Sequence, residues 1–340
     1  MEKLIDRFGR EINYLRISVT DRCNLRCIYC MPAGGVMHNP QAQILSFEQI
    51  YQIVKIGAML GIQKVRITGG EPLVRKDLPL LIEKLKTIEG LKEIALTTNG
   101  IYLSEYASTL RKAGLDRINI SLDSLNPEKF QQITRGANLE PVLKGIESAL
   151  AAGFSFIKIN TVLLKGFNTE EIPSFAGLTK YKPINVRFIE YMPTDFNFLL
   201  YDNLFFAAEE AKTLCGSLGE LESLALAPGA TARIFRIKGF CGTVGFISAI
   251  SQPFCSSCNK LRLTANGLLK ACLHSSQTIN LKELLDKGTQ DEDLIMPIRE
   301  AVALKPKSHN LHKPSACGED PAHTALRLES ENFSMCQIGG

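Results

Sequence analysis

Six cysteines fall into two sets of three, each with the spacing of a metal centre. Cys23, Cys27 and Cys30 form C-x3-C-x2-C, and Cys255, Cys258 and Cys272 form C-x2-C-x13-C. Thiolates this close in sequence can wrap one compact site and favour soft metals. A closed structural zinc site takes four protein ligands, and an iron–sulfur cluster usually takes four cysteines. Three thiols therefore leave a coordination position free for something else. The alternative for either set is zinc completed by a further residue, and for the second set His274 is placed to be that residue. The other four cysteines, Cys215, Cys241, Cys317 and Cys336, have no ligand spacing and read as small buried or free thiols.

A second chemistry is carried by cations. In Lys260-Leu261-Arg262 two positive side chains at i and i+2 project to one side of an extended strand. Beside an open metal site they make a polyanion pocket, since Lys and Arg are the usual phosphate partners. Arg16, Arg66 and Lys158 lie within or near the ends of expected strands, where a charge needs a partner. An internal salt bridge would serve any one of them. Three aimed at one cavity point to anion binding. The run Thr68-Gly69-Gly70-Glu71-Pro72 is a plain turn if taken alone, but its glycines would also let main chain approach a ligand closely.

The elements that must position these groups follow from the periodicity. Strands are expected at 12–20, 64–69, 94–99, 117–123, 157–164 and 186–192, with amphipathic helices between them. One helix begins at Ser46 as N-cap with Glu48 in its first turn, and others include residues 83–86 and 140–151. Six β/α units in a row argue for a parallel sheet with helices outside, curled by right-handed crossovers into a barrel or partial barrel. The regular alternation stops after Met192. The expected division is residues 1–240 as the barrel and 241–340 as a glycine- and cysteine-rich extension, with 305–333 polar, nearly aperiodic and surface-running or mobile.

Composition sets the bounds. The chain has 340 residues, 45% hydrophobic and 22% charged, with a net charge of +4. That is an ordinary globular balance, and the mild charge argues against coating nucleic acid. No apolar stretch is long enough for a membrane span and no secretory signal opens the chain, so a cytoplasmic location is expected. In that reducing setting clustered cysteines point to metal or catalysis rather than disulfides.

The first cysteine run, directly after a strand and with Tyr29 before its last cysteine, resembles the radical S-adenosylmethionine superfamily. The resemblance implies a [4Fe–4S] cluster on Cys23, Cys27 and Cys30 and S-adenosylmethionine beside Tyr29, Gly70, Ser121 and Met192, with Gly70 meeting the methionine amino group through its backbone. Adding Asp6-Arg7-Phe8-Gly9-Arg10, Leu15-Arg16-Ile17-Ser18-Val19-Thr20, the second cysteine set and the terminal Gly339-Gly340, nearly the whole chain resembles the molybdenum-cofactor biosynthesis protein A family of GTP 3′,8-cyclases. That narrower resemblance implies a partial (β/α)6 barrel with a C-terminal extension carrying a second [4Fe–4S] cluster, on Cys255, Cys258 and Cys272. It implies GTP as substrate, held by Arg16, Arg66, Thr97, Lys158 and the segment Lys260, Leu261, Arg262, with Gly339 and Gly340 entering the site. The implied reaction uses a 5′-deoxyadenosyl radical to take hydrogen from C3′ of GTP before C3′ bonds to C8. Lys260 stands where the family commonly has arginine, keeping the charge but losing bidentate geometry. An external electron donor is implied, with no DNA, RNA or membrane as partner, and a homodimer is left open. The competing readings are a radical enzyme that modifies a peptide and a zinc-binding nucleic-acid protein.

Overall fold

The computed structural model describes residues 2–193, 201–226 and 229–311. Gly339, Gly340, Cys317 and Cys336 lie outside the described residues. Six strands follow one another in parallel pairing: β1 (Tyr14–Ser18), β2 (Lys64–Thr68), β3 (Glu93–Thr98), β4 (Arg117–Ser121), β5 (Ile157–Leu163) and β6 (Ile184–Glu190). The helices between them are α1 (Phe47–Met59), α2 (Leu78–Lys86), α3 (Leu103–Lys112), α4 (Pro127–Thr134), α5 (Glu140–Ala151) and α6 (Ile172–Gly177). Ser46 caps α1 as expected, and Gln49 returns the bond to form a capping box.

Parallel strands buried on both faces usually run apolar throughout. These alternate instead. Leu15 and Ile17, Val65 and Ile67, Ile94 and Leu96, and Ile118 and Ile120 face the helices and are buried. Their neighbours, including Tyr14, Arg16, Arg66, Thr97 and Ser121, face the other way and line one cavity. The period of two in these strands therefore separates a dry outer core from a polar interior.

The rest of the chain closes both edges of this half-barrel. On the β6 side stand β9 (Thr243–Ile247), β8 (Arg233–Ile237) and β7 (Leu221–Ser223). On the β1 side stand β10 (Lys260–Leu263), β11 (Leu268–Lys270) and β12 (Thr278–Asn280), giving one sheet of 12 strands in the order β12-β11-β10-β1-β2-β3-β4-β5-β6-β9-β8-β7. The expected division after residue 240 falls between β8 and β9, which are hydrogen-bonded neighbours. It is a division of content and not of packing.

One further expectation changes in part. Residues 305–311 lie partly at the surface, with Lys307, Ser308 and Asn310 exposed, but Lys305 is 3% exposed, and Arg10 donates to the Pro306 and Lys307 carbonyls at 2.6 and 3.2 Å. Of the spare cysteines, Cys215 is buried and Cys241 exposed. No helix among the described residues is long and apolar enough to cross a membrane.

Candidate active site

The cavity inside the half-barrel has a volume of about 620 Å³, within the usual range for small-molecule sites. Cys23, Cys27 and Cys30 line it from the loop after β1, where strand C-termini place chemistry. The Cys30 and Met31 amides both donate to the Cys27 carbonyl, a turn that sets Cys27 beside Cys30. The Leu25 amide donates to the Cys23 sulfur at 3.4 Å, and the Asn99 side-chain amide reaches it at 4.0 Å. Donors aimed at sulfur suit a thiolate ligand. Burial pushes the Cys27 thiol well up from its ordinary value, so this pocket calls for a positive centre to hold the thiolate. Tyr29 donates its hydroxyl to Asp123 at 2.6 Å, and burial raises the Asp123 carboxyl to about 6.

Gly70 packs directly under this loop. Its amide donates to Thr20 at 2.8 Å, which leaves its carbonyl as the backbone group that could meet an amino group. A Cβ there would overlap the Arg22 carbonyl and stand 3.0 Å from Cys23 Cβ, so only glycine fits. Gly70→Ala should therefore push the Cys23 loop out of place. We expect S-adenosylmethionine affinity to fall by about 5- to 160-fold, at a cost typical of overpacking, about 1–3 kcal/mol. Equilibrium dialysis with the labelled cofactor checks this, and unchanged affinity would remove Gly70 from the site. Glu71 follows, fully buried, and holds the Asn99 amide, the Thr98 hydroxyl and the Leu73 amide. Ser121 and Met192, from the ends of β4 and β6, line the same cavity.

The cationic residues meet in the interior as a connected layer. Register places Arg262 beside Arg16, Arg16 beside Arg66, and Tyr14 beside Lys260. Thr97 pairs with Asn119, and Asn119 with Lys158. Burial first, then Arg187, Arg66 and Arg117, bring the Lys158 ammonium down to about 6. Burial and the neighbouring arginines bring Lys260 to about 8. Arg16 and Arg262 are lowered chiefly by burial. Burial and mutual repulsion lower these cations together, although Glu93, paired with Arg117, stands beside Lys158 in the same cavity. The Nε of Arg66 and the Thr97 hydroxyl have no hydrogen-bond partner among the described protein atoms. Leu261 is a correction. It is 1% exposed and packed in the outer core, because alternation turns it away from Lys260 and Arg262.

Cys255, Cys258 and Cys272 line the opposite part of the cavity wall. Burial tends to raise the Cys258 thiol, but Lys305 and Lys260 outweigh it, and its pKa lies below the ordinary value. His274 is close by, held neutral with its pKa down to about 3 by burial and then by His309. The early Asp6-to-Arg10 run gains a physical reading. Arg10 pairs with Asp6 at 2.5 Å and donates to the Cys255 carbonyl at 2.7 Å, tying the start of the chain to the second cysteine loop. Glu190, fully buried at the end of β6, accepts from the Ile250 and Ser251 amides, each at 2.8 Å, and from the Ala208 amide at 3.0 Å. It anchors that loop from the other side.

Sequence reasoning missed Tyr14, Asn160, Arg187 and the Arg117–Glu93 ion pair, all lining this cavity. For Tyr14, Asn160, Arg117 and Glu93 the signal was present in the strands' period-two alternation, which puts each on the same face as a residue already singled out, whereas Arg187 is placed only by its pairing with Asn160. It also missed Glu190, Arg10 and Lys305, whose roles depend on contacts made far along the chain.

A half-barrel with three cysteines after its first strand and Gly-Gly-Glu-Pro after its second defines a radical S-adenosylmethionine enzyme. The Radical SAM superfamily profile matches residues 17–178 and the Molybdenum Cofactor Synthesis C profile residues 184–311. The chain belongs to the GTP 3′,8-cyclase family: it is 46% identical over 310 residues to the GTP 3′,8-cyclase of Petrotoga mobilis, spanning 91% of this chain and 96% of that protein. It is likewise 48% identical over 309 residues to that of Peptoclostridium acidaminophilum, spanning 91% and 94%. Among solved structures, Streptococcus suis SuiB bound to S-adenosylmethionine superimposes with a TM-score of 0.56 at 16% identity, covering 85% of this chain and 68% of SuiB, a likeness of fold.

Proposed function

We propose that this chain converts GTP to (8S)-3′,8-cyclo-7,8-dihydroguanosine 5′-triphosphate in molybdenum-cofactor biosynthesis, starting from S-adenosylmethionine. The observation that carries this reading is one cavity with two three-cysteine sets in its wall and a layer of buried cations from neighbouring strands beside them. The donors fit two [4Fe–4S] clusters: Cys23, Cys27 and Cys30 would hold one, which would supply an electron to S-adenosylmethionine, and Cys255, Cys258 and Cys272 would hold the other, which would bind the guanine end of GTP.

The residues divide the work. Tyr29, Gly70, Ser121 and Met192 hold S-adenosylmethionine at the first cysteine set. Arg16, Arg66, Lys158, Lys260 and Arg262 hold the triphosphate, with the Thr97 hydroxyl as a neutral partner. A polyanion would relieve their mutual repulsion and return Lys158 to its charged form. Tyr191 and Tyr201, packed at 5.7 Å, belong to an apolar cluster that backs the Tyr29 loop and keeps water from that wall. A primary carbon radical reacts with whatever is nearest, so alignment and dryness are the protein's contribution. An external reductant must supply the electron. The absence of an apolar membrane-length helix among the described residues and the mild charge favour a cytoplasmic enzyme without nucleic-acid partners. The cationic layer disfavours a peptide as substrate.

Arg262→Ala tests the reading. Losing a charge-assisted contact costs about 1.5–3 kcal/mol, roughly 10- to 160-fold. Calorimetry should show that loss for GTP and little change for guanosine. Equal losses for both ligands would make Arg262 a support of the fold.

A further inference from the structure

Lys305 is not absorbed by the chemistry above. It follows the C-terminal helix Ile295–Ala303 and is 3% exposed, in a segment whose composition suggests a surface run. Its ammonium donates to the Lys260 carbonyl at 2.7 Å and to the Ala271 carbonyl at 2.7 Å. Those carbonyls belong to the residue two past Cys258 and the residue just before Cys272. The three second-set cysteines come from two separate chain segments, and Lys305 is bonded to both.

The charge is unusual as well as the position. Lys305 forms no ion pair with a carboxylate among the described residues, whereas Arg10, another buried cation beside this set, is paired with Asp6 at 2.5 Å. An ammonium has three donors, and two are spent on carbonyls. The third side of Lys305 faces the Cys258 thiol, and Lys305 lines the same cavity as the three cysteines. Burying an unpaired cation is costly unless an anion is meant to lie beside it. Three thiolates around an iron–sulfur group are that anion.

We propose that Lys305 is a positioning residue for the second metal centre: it clamps the two cysteine segments together and, by its buried charge, makes that centre easier to reduce. The inference rests on the reading of the second set as an iron–sulfur site. A positive charge close to the ligands stabilises the reduced, more negative state, so removing it lowers the reduction potential.

The test uses the full chain with Cys23→Ala, Cys27→Ala and Cys30→Ala, loaded anaerobically with iron and sulfide so that only the second set can hold a cluster. Lys305→Met removes the charge at similar length, and Lys305→Arg keeps it. Iron content and redox titration followed by electron paramagnetic resonance are read for each. The expected result is a reduction equilibrium at least tenfold less favourable in Lys305→Met, which is 59 mV for one electron, and near-normal behaviour in Lys305→Arg. Loss of the cluster in Lys305→Met with retention in Lys305→Arg would equally support the charge. Unchanged potentials in both, or equal loss of the cluster in both, would overturn the proposal while leaving the iron–sulfur reading intact. No cluster in the Lys305-containing background would overturn both.

Discussion

Serine in place of Cys27 is expected to abolish formation of 5′-deoxyadenosine from S-adenosylmethionine under reducing, anaerobic conditions. The Cys27 thiol is pushed up by burial, then by Asp123 and Cys23. Serine at that position would stay neutral, and its hard oxygen is a poor ligand for this kind of iron. Losing an outer partner of a metal ligand already costs about 10–100-fold, so losing the ligand itself should exceed that. Cys23→Ser and Cys30→Ser should behave alike. The measurement is 5′-deoxyadenosine by chromatography, with iron analysis on the same sample: about eight irons per chain in the unaltered protein and about four in the variant, if each set holds one four-iron cluster. Product at the unaltered rate would refute the assignment of the first set.

Cys258→Ser should give the opposite dissection. The first set lies in another loop, so slow cleavage of S-adenosylmethionine should survive. GTP binding and cyclisation should fall by at least about 100-fold, since the variant loses a ligand and also disturbs Lys260 and Lys305, which lie beside Cys258. Formation of 5′-deoxyadenosine without a GTP-derived product is the signature. GTP binding with unchanged affinity would mean that the second set is structural, and zinc with His274 would become the better account.

The fold core was legible because its signal is local. All six expected strands appear, with ends within about two residues of where periodicity puts them, and α5 spans the anticipated 140–151. The ends move because hydrogen-bonded neighbours set a strand's length: residues 12–20 shorten to Tyr14–Ser18 between β10 and β2. What was not legible is where the C-terminal strands go. Nothing in residues 241–273 says that β9 joins β6 while β10 joins β1, because that choice depends on partners distant in sequence, Asn185 for Thr243 and Tyr14 for Lys260. The site divides the same way. The cysteines, glycines and cations declared themselves by type and spacing. Leu261 was grouped with its neighbours because they are contiguous, although alternation sends it to the outer core. Lys305 and Glu190 could not be found at all, since a buried charge and a surface charge look identical until their partners are known.

Placing β10 against β1 also sets a clock on biosynthesis. Arg10 and its partner at Cys255 are 245 residues apart. At about 5–20 residues per second a ribosome needs about 12–50 s to cover that distance. For that interval the outer edge of β1, with its row of unpaired amides and carbonyls, is open to any other strand. Slowing translation should therefore lengthen the period in which nascent chains depend on chaperones, and the yield of soluble protein should fall even though the finished sheet is unaltered.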